Sequence, residues 1–338
     1  MAKVGIIGAS GYTGAELLRL AASHPELEIV VATGDTQAGT PAAALYPSLA
    51  AAYPDLVFTA YDPDDVAGLD LVFLGLPHGQ AQAIVPNIRG RVGRIVDLSA
   101  DFRLKDAALY PKWYGEDHRC PDLLAEAAYG LPELFRDEIR EATLVATPGC
   151  YVTAASLALA PLVRAGLIER HGIIVDAASG ISGAGRGPKA STTFCDRDDD
   201  FAAYSLLDHR HTPEIEQVVE ATVLFTPHYA PMSRGILATC YARPAGTTST
   251  AALLAALAHA YRGEPFVVVG TAPPSTKAAL GSNTAHLTAR FDDRTGYVMV
   301  LCAIDNLTKG ASGAAVQCAN IVLGLPEAMG LPVVGMYP

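Results

Sequence analysis

The sequence contains no CxxC pair, and its six cysteines (Cys120, Cys150, Cys195, Cys240, Cys302, Cys318) are scattered through 338 residues. That spacing suits neither a disulfide framework nor a zinc site, so no metal is expected, and a reducing cytoplasm fits best. No run of about 18 apolar residues occurs, which argues against a membrane span. The opening MAKVGIIGAS has a single Lys and a short apolar strand broken by glycines, which is not a signal peptide. Basic residues are scarce, 24 against 35 acidic, and the net charge of −11 disfavours attraction to nucleic acid or anionic membranes. Any anionic ligand must therefore be captured locally. Internal repeats are also lacking, and the one low-complexity patch, Thr/Ser/Ala at 247–258, reads as a loop leading into a helix.

What is present is ordinary globular material, half of it apolar and long enough for two domains. Over the first 100 residues, short β-rich runs alternate with helical segments. KVGIIGA, LEIVVAT, LVFT, LDLVFLGLP and RIVDLSA read as parallel strands, with helices over 14–23 and 79–88, and TLVATPG adds one more strand running into Cys150. This is the pattern of a Rossmann-type, doubly wound α/β sheet. After Cys150, YVTAASLALAPLVRAGLI reads as an apolar helix, and IIVDAAS opens a different series. FVVVGTAP, AHLTARFDD and YVMVLCAID read as longer antiparallel strands of a second, α+β domain. KGASGAAVQCANIVLGL is again helical and is placed back on the first domain, giving 1–149 with 310–338 as one domain and 150–309 as the other.

Two stretches carry chemistry. In GASGYTG, after an apolar strand and before a helix, Gly8 permits a tight turn, Gly11 close approach to a pyrophosphate and Gly14 helix-to-strand packing. The spacing is GxxGxxG, so its weight comes from the strand and helix around it. In TPGCYVTA, Cys150 stands at a helix N-terminus after a Pro-Gly turn, a setting that favours a reactive thiolate over a plain apolar plug. HRHTPEIEQ offers His209 and His211 as acid/base candidates before a helix expected to begin at Thr212 and Pro213; His228 and His78 are further candidates. Arg103 in SADFR follows a strand at its carboxyl end and suits a phosphate. Asp35, after the second strand with no Arg before Arg89, leans toward NAD.

GASGYTG, LPHG, DLSADFRL, PGCYVTA, SGISGAGR, HRHTPEIEQ, PHYAPMSRGI and IDNLTKGASGAAVQ together resemble the N-acetyl-γ-glutamyl-phosphate reductases of arginine biosynthesis, relatives of aspartate-semialdehyde dehydrogenase. The resemblance runs from the first strand to about residue 330. It implies NADPH as hydride donor, an acyl phosphate as substrate, and a homodimer or homotetramer. It implies Cys150 as the nucleophile forming a thioester, His211 as acid/base with His209 beside it, and Arg103 and Ser182 at the substrate. Gly8, Ser10, Gly11, Tyr12, Thr13, Gly14, Pro77, His78, Ser182 and Gly183 would contact the cofactor. Members of the family often carry Ser and Arg where this chain has GDTQ, so NAD stays open beside NADP. Two rivals are a reductase of carrier-bound aminoadipyl phosphate in lysine biosynthesis, against which PGCY speaks, and a non-catalytic nucleotide-sensing Rossmann protein with a structural Cys150.

Overall fold

Short runs of Val, Ile and Leu, buried on both faces, are what a parallel sheet requires. Six strands form the first sheet, β1 (Ala2–Ile7), β2 (Leu27–Ala32), β3 (Leu71–Leu74), β4 (Arg94–Asp97), β5 (Ala128–Tyr129) and β6 (Leu144–Ala146), and the edge strand β2 exposes residues on one face. They pair in the order β2-β1-β3-β4-β6-β5, every pair parallel. The computed structural model describes all residues from Met1 to Pro338 and resolves into two units, Met1–Pro148 with Ala311–Leu331 and Gly149–Gly310 with Pro332–Pro338.

In the first unit β2 and β3 flank β1 on opposite sides, so the strand order reverses at the carboxyl end of β1. Open α/β sheets bind ligands in the crevice at such a switch point. The helix Gly313–Val322 has every residue buried, and Gln317 Nε2 donates to Glu133 Oε1 at 3.0 Å, so a segment far along the chain completes this core. LVFT, expected as a strand, makes only single bridges, Thr33 to Thr59 and Pro41 to Val57. Phe58 is buried but Val57 is 43% exposed, so burial drives only one residue of the run inward. The first helix starts and ends two residues earlier than expected, at Tyr12–Ala21, and the second starts two residues later but ends as expected, at Ala81–Ile88.

The second unit is a seven-stranded mixed sheet: β7 (Ile173–Ser179), β8 (Ala202–Ala203), β9 (Val223–Tyr229), β10 (Ile236–Ala242), β11 (Val267–Val269), β12 (Ala285–Asp292) and β13 (Tyr297–Ile304), ordered β11-β12-β13-β10-β7-β9-β8. β7 and β10 alternate strictly between buried and half-buried residues, as a sheet with one covered face does. The cover includes the helix Cys150–Arg164, buried from Tyr151 to Val163. FVVVGTAP contracts to the three residues of β11, which pair parallel with β12. Pro273 and Pro274, lacking N–H groups, stand where that edge strand would have continued. The tail 332–338, expected with the first domain, packs on the second unit. Asn283 N donates to Pro332 O and Met336 N to Leu280 O, each at 2.8 Å.

Candidate active site

The glycine loop of the first unit has the geometry its spacing implies. Gly8 has φ +88°, and a Cβ there would meet Gly75 O at 2.5 Å, so the turn demands glycine on both conformational and packing grounds. Gly14 is equally closed by the Ala9 backbone, whereas a Cβ on Gly11 would meet protein only at 3.6 Å. Packing therefore does not require Gly11 to be glycine; close approach of a ligand would. Gly11 is the N-cap of the helix Tyr12–Ala21 and has no side chain to occupy the first-turn N–H groups of Tyr12, Thr13 and Gly14. Tyr46 Oη donates to Ser10 O and Ser312 Oγ to Thr13 O, each at 2.8 Å, and these bonds hold the loop from both ends.

The loop after β3 carries Pro77 and His78 and is clamped to SADFR. Asp101 Oδ1 lies 2.6 Å from His78 Nδ1 and accepts the Gly79 N–H at 2.7 Å, while Oδ2 accepts the Gln82 N–H at 3.1 Å. Burial raises the Asp101 pKa, but the His78, Gly79 and Gln82 hydrogen bonds and the His78 charge outweigh it, and the net shift is downward. His78 Nε2 is 3.4 Å from Glu116, so the imidazole sits between two carboxylates. Arg103 is buried, donating from Nε to Thr147 O and from Nη2 to Leu98 O, each at 2.8 Å. It thereby ties the end of β4 to the residue that follows β6.

In the second unit Cys150 is the first residue of its helix and is half-buried, with Gly149 as N-cap. The Gly149 N–H donates to Glu214 Oε1 at 3.0 Å. An added Cβ on Gly149 would run into the His211 imidazole, which places that ring directly against the turn before the thiol. His211 and Glu214 sit one turn apart on the helix His211–Val219, and Glu214 is fully buried. Glu214 is absent from any reading of the sequence as a site residue, because an acid in PEIEQ looks like a solvated helix face. Gly310, in a π-helical turn Thr308–Ser312, closes on Cys150 from another side; a Cβ there would meet Cys150 Cβ at 2.9 Å.

The helix starts at His211 rather than at Thr212, with Arg210 as its N-cap, and the His211 N–H donates to His209 Nδ1 at 3.1 Å. His209 is boxed by aromatic rings, with centroid distances of 4.7 Å to His211, 5.3 Å to Phe225, 5.5 Å to Tyr204 and 5.7 Å to Tyr151. Burial, then the Arg210 charge, pushes its pKa down to about 4. Unfolded, the ring takes up a proton near 6.5 and folded only near 4, so its stabilising contribution is complete above 6.5 and lost as pH falls through that window. His209→Gln keeps an acceptor but cannot be protonated. Wild-type stability is expected to fall by about 1–3 kcal/mol more than that of the variant between pH 7 and 4. Denaturant unfolding at each pH checks this, and equal slopes would refute it. His228 stands apart, its ring stacked on Phe201 at 5.2 Å.

Ser182 lies in the turn Ile181–Ala184 and accepts from Asn306 Nδ2 at 2.9 Å, with Gly183 exposed beside it. Asn306 Oδ1 accepts the Gly235 N–H at 2.7 Å. The adjacent Asp305, fully buried, accepts from Arg234 Nη2 at 2.9 Å and from the N–H groups of Gly281, Leu307 and Thr308. Its carbonyl takes the Gly310 N–H at 2.9 Å. Asp305 and Asn306 thus set the loops that carry Ser182 and Gly310.

An NAD-binding domain followed by a dimerisation domain is the plan of the semialdehyde dehydrogenases, and the chain has both. Residues 3–142 match the semialdehyde dehydrogenase NAD-binding domain and 150–306 the semialdehyde dehydrogenase dimerisation domain. Solved structures agree on the fold: aspartate semialdehyde dehydrogenase with NADP from Candida albicans (TM-score 0.72, 16% identity, 96% of this chain and 99% of that one) and aspartate semialdehyde dehydrogenase II from Vibrio cholerae (TM-score 0.68, 15% identity, 96% and 99%). Within that class the sequence is similar to N-acetyl-γ-glutamyl-phosphate reductases over its whole length. That of Symbiobacterium thermophilum is 49% identical over 99% of both chains, and that of Geobacter metallireducens 48% identical over 100% of both. The chain belongs to the N-acetyl-γ-glutamyl-phosphate reductase family.

Proposed function

We propose that the chain reduces N-acetyl-γ-glutamyl phosphate to N-acetylglutamate 5-semialdehyde and phosphate through a thioester on Cys150, in arginine biosynthesis. The observation that carries this is the placement of a half-buried thiol on the first residue of a long buried helix, with His211 against the preceding Gly149. The helix N-terminus and the neighbouring imidazole both favour thiolate. Its sulfur attacks the acyl carbon, the S–C bond forms, and the C–O bond to phosphate breaks. Arg103 is the residue we assign to the phosphate, with Ser182 also at the substrate. A thioester, unlike a carboxylate, keeps the carbon electrophilic enough to accept hydride.

The loop Gly8–Gly14 fits a dinucleotide: two of its glycines are forced by packing and the third is left open at a helix N-terminus. Ser10, Tyr12, Thr13, Pro77, His78 and Gly183 join it in our assignment. When bound, the reduced nicotinamide supplies hydride to the thioester carbon. His211 gives a proton to the resulting oxyanion and recovers it as the S–C bond breaks, which releases aldehyde and restores the thiolate. The net proton ends on the departing phosphate. His209, accepting the His211 N–H and held neutral, positions His211. The family implies NADPH; the choice between the two dinucleotides rests on residues after β2.

We also propose a homo-oligomer, a dimer or tetramer, in the cytoplasm. The second unit matches a domain described as a dimerisation domain, and no helix is long and apolar enough to cross a membrane. The reverse reaction tests the activity: wild type with N-acetylglutamate 5-semialdehyde, phosphate and an oxidised dinucleotide is expected to produce absorbance at 340 nm that depends on phosphate. No reduced cofactor under these conditions refutes the assignment.

A further inference from the structure

We infer that the enzyme takes NADH in preference to NADPH and that Asp35 makes the choice. The inference rests on the reading above that the glycine loop holds a dinucleotide. In such folds the residue at the end of the second strand, about 20 positions past the last loop glycine, meets the adenosine ribose: an acid receives the 2′-hydroxyl, and an arginine receives a 2′-phosphate. Asp35 occupies that place. β2 ends at Ala32, and Thr33 is bound directly to the loop, its carbonyl accepting the Ala9 N–H at 2.6 Å and its Oγ1 the Gly8 N–H at 3.3 Å. Gly34 follows so closely that a Cβ there would meet Ser10 Cβ at 2.7 Å. The next residue outward is Asp35, exposed at the crevice side of the sheet.

The carboxylate is held in place. Its Oδ1 accepts the Tyr61 N–H at 3.1 Å, leaving Oδ2 as acceptor for a ribose hydroxyl. What would neutralise a phosphate is missing. From residue 20 to residue 88 the chain has no lysine or arginine. The flanking guanidiniums are engaged elsewhere: Arg19 with Glu16 at 2.7 Å, Arg89 with Glu126, and Arg91, whose charge reaches the Tyr61 hydroxyl, with Asp64 at 2.6 Å. A 2′-phosphate, carrying nearly two negative charges, would face a carboxylate without a counter-ion. The dinucleotide cradle fits and the 2′-phosphate does not.

Titration calorimetry with NAD⁺ and NADP⁺ reads this without turnover. Wild type is expected to bind NAD⁺ at least about tenfold tighter than NADP⁺, a gap the repulsion readily supplies. Asp35→Asn is expected to tighten NADP⁺ by about tenfold without tightening NAD⁺, and Asp35→Arg to reverse the order. Reductase assays should follow the same order in kcat/KM for NADH and NADPH. Tighter NADP⁺ binding by wild type, or an unchanged ratio in Asp35→Asn, overturns the inference. Preferential NAD⁺ binding without acyl-phosphate reduction would sustain it while sinking the proposed reaction; binding of neither dinucleotide overturns both. The side chain is exposed, so both variants should fold, and Asp35→Asn decides should the charge reversal not.

Discussion

Replacing Cys150 by Ser is expected to lower phosphate-dependent turnover by at least about a thousandfold while dinucleotide binding stays within about twofold of wild type. A hydroxyl at this position keeps the volume but not the nucleophile, because its pKa is too high for a helix terminus and one imidazole to ionise it. Serine keeps the Cβ against which Gly310 closes, and the thirteen buried residues that follow, Tyr151 to Val163, are unchanged. Steady-state assays beside calorimetry separate the two quantities. Turnover within tenfold of wild type would show that Cys150 is structural, and loss of dinucleotide affinity would show that the substitution had deformed more than the thiol.

His211→Asn is expected to lower kcat by about a hundred- to a thousandfold, the usual worth of a positioned acid/base group. Its effect should reach the thiol directly: iodoacetamide labelling of Cys150 slows in the variant, because the imidazole that favours thiolate is gone. His209→Gln should cost far less, since it retains an acceptor for the His211 N–H and removes only a ring that is neutral above about pH 4. An equal loss in the two variants would assign the chemistry to both rings or to neither. Mass-spectrometric mapping of the labelled cysteine confirms that the rate refers to Cys150 and not to exposed Cys195.

Much of this arrangement was legible in sequence for identifiable reasons. Strands buried on both faces read as unbroken apolar runs, and glycines forced by φ or by backbone contact, such as Gly8 and Gly14, mark a turn that no other residue can make. The position of Cys150 was legible because a Pro-Gly turn before an apolar helix fixes where the helix starts. The start of the His211 helix was not, because its N-cap is Arg210 and its first N–H is taken by an imidazole two residues upstream, where Thr212 looked like the capping residue. Glu214 and Asp305 were invisible for a related reason. Nothing local distinguishes a solvated carboxylate from one buried against backbone N–H groups contributed by residues 65 or 24 positions away.

The helix Gly313–Val322 has a consequence for synthesis. Its buried face is part of the first unit's core, and its partners Glu133 and His24 lie 184 and 296 residues earlier in the chain. A ribosome therefore releases β1 through β6 long before the piece that seals them exists, and contacts of such separation form late. While residues 149–310 are being made, the nascent sheet is exposed where Ala314, Val316 and Cys318 will later lie. The second unit, apart from its short tail, is contiguous, so all of it but that tail has been made before the helix that seals the dinucleotide's domain.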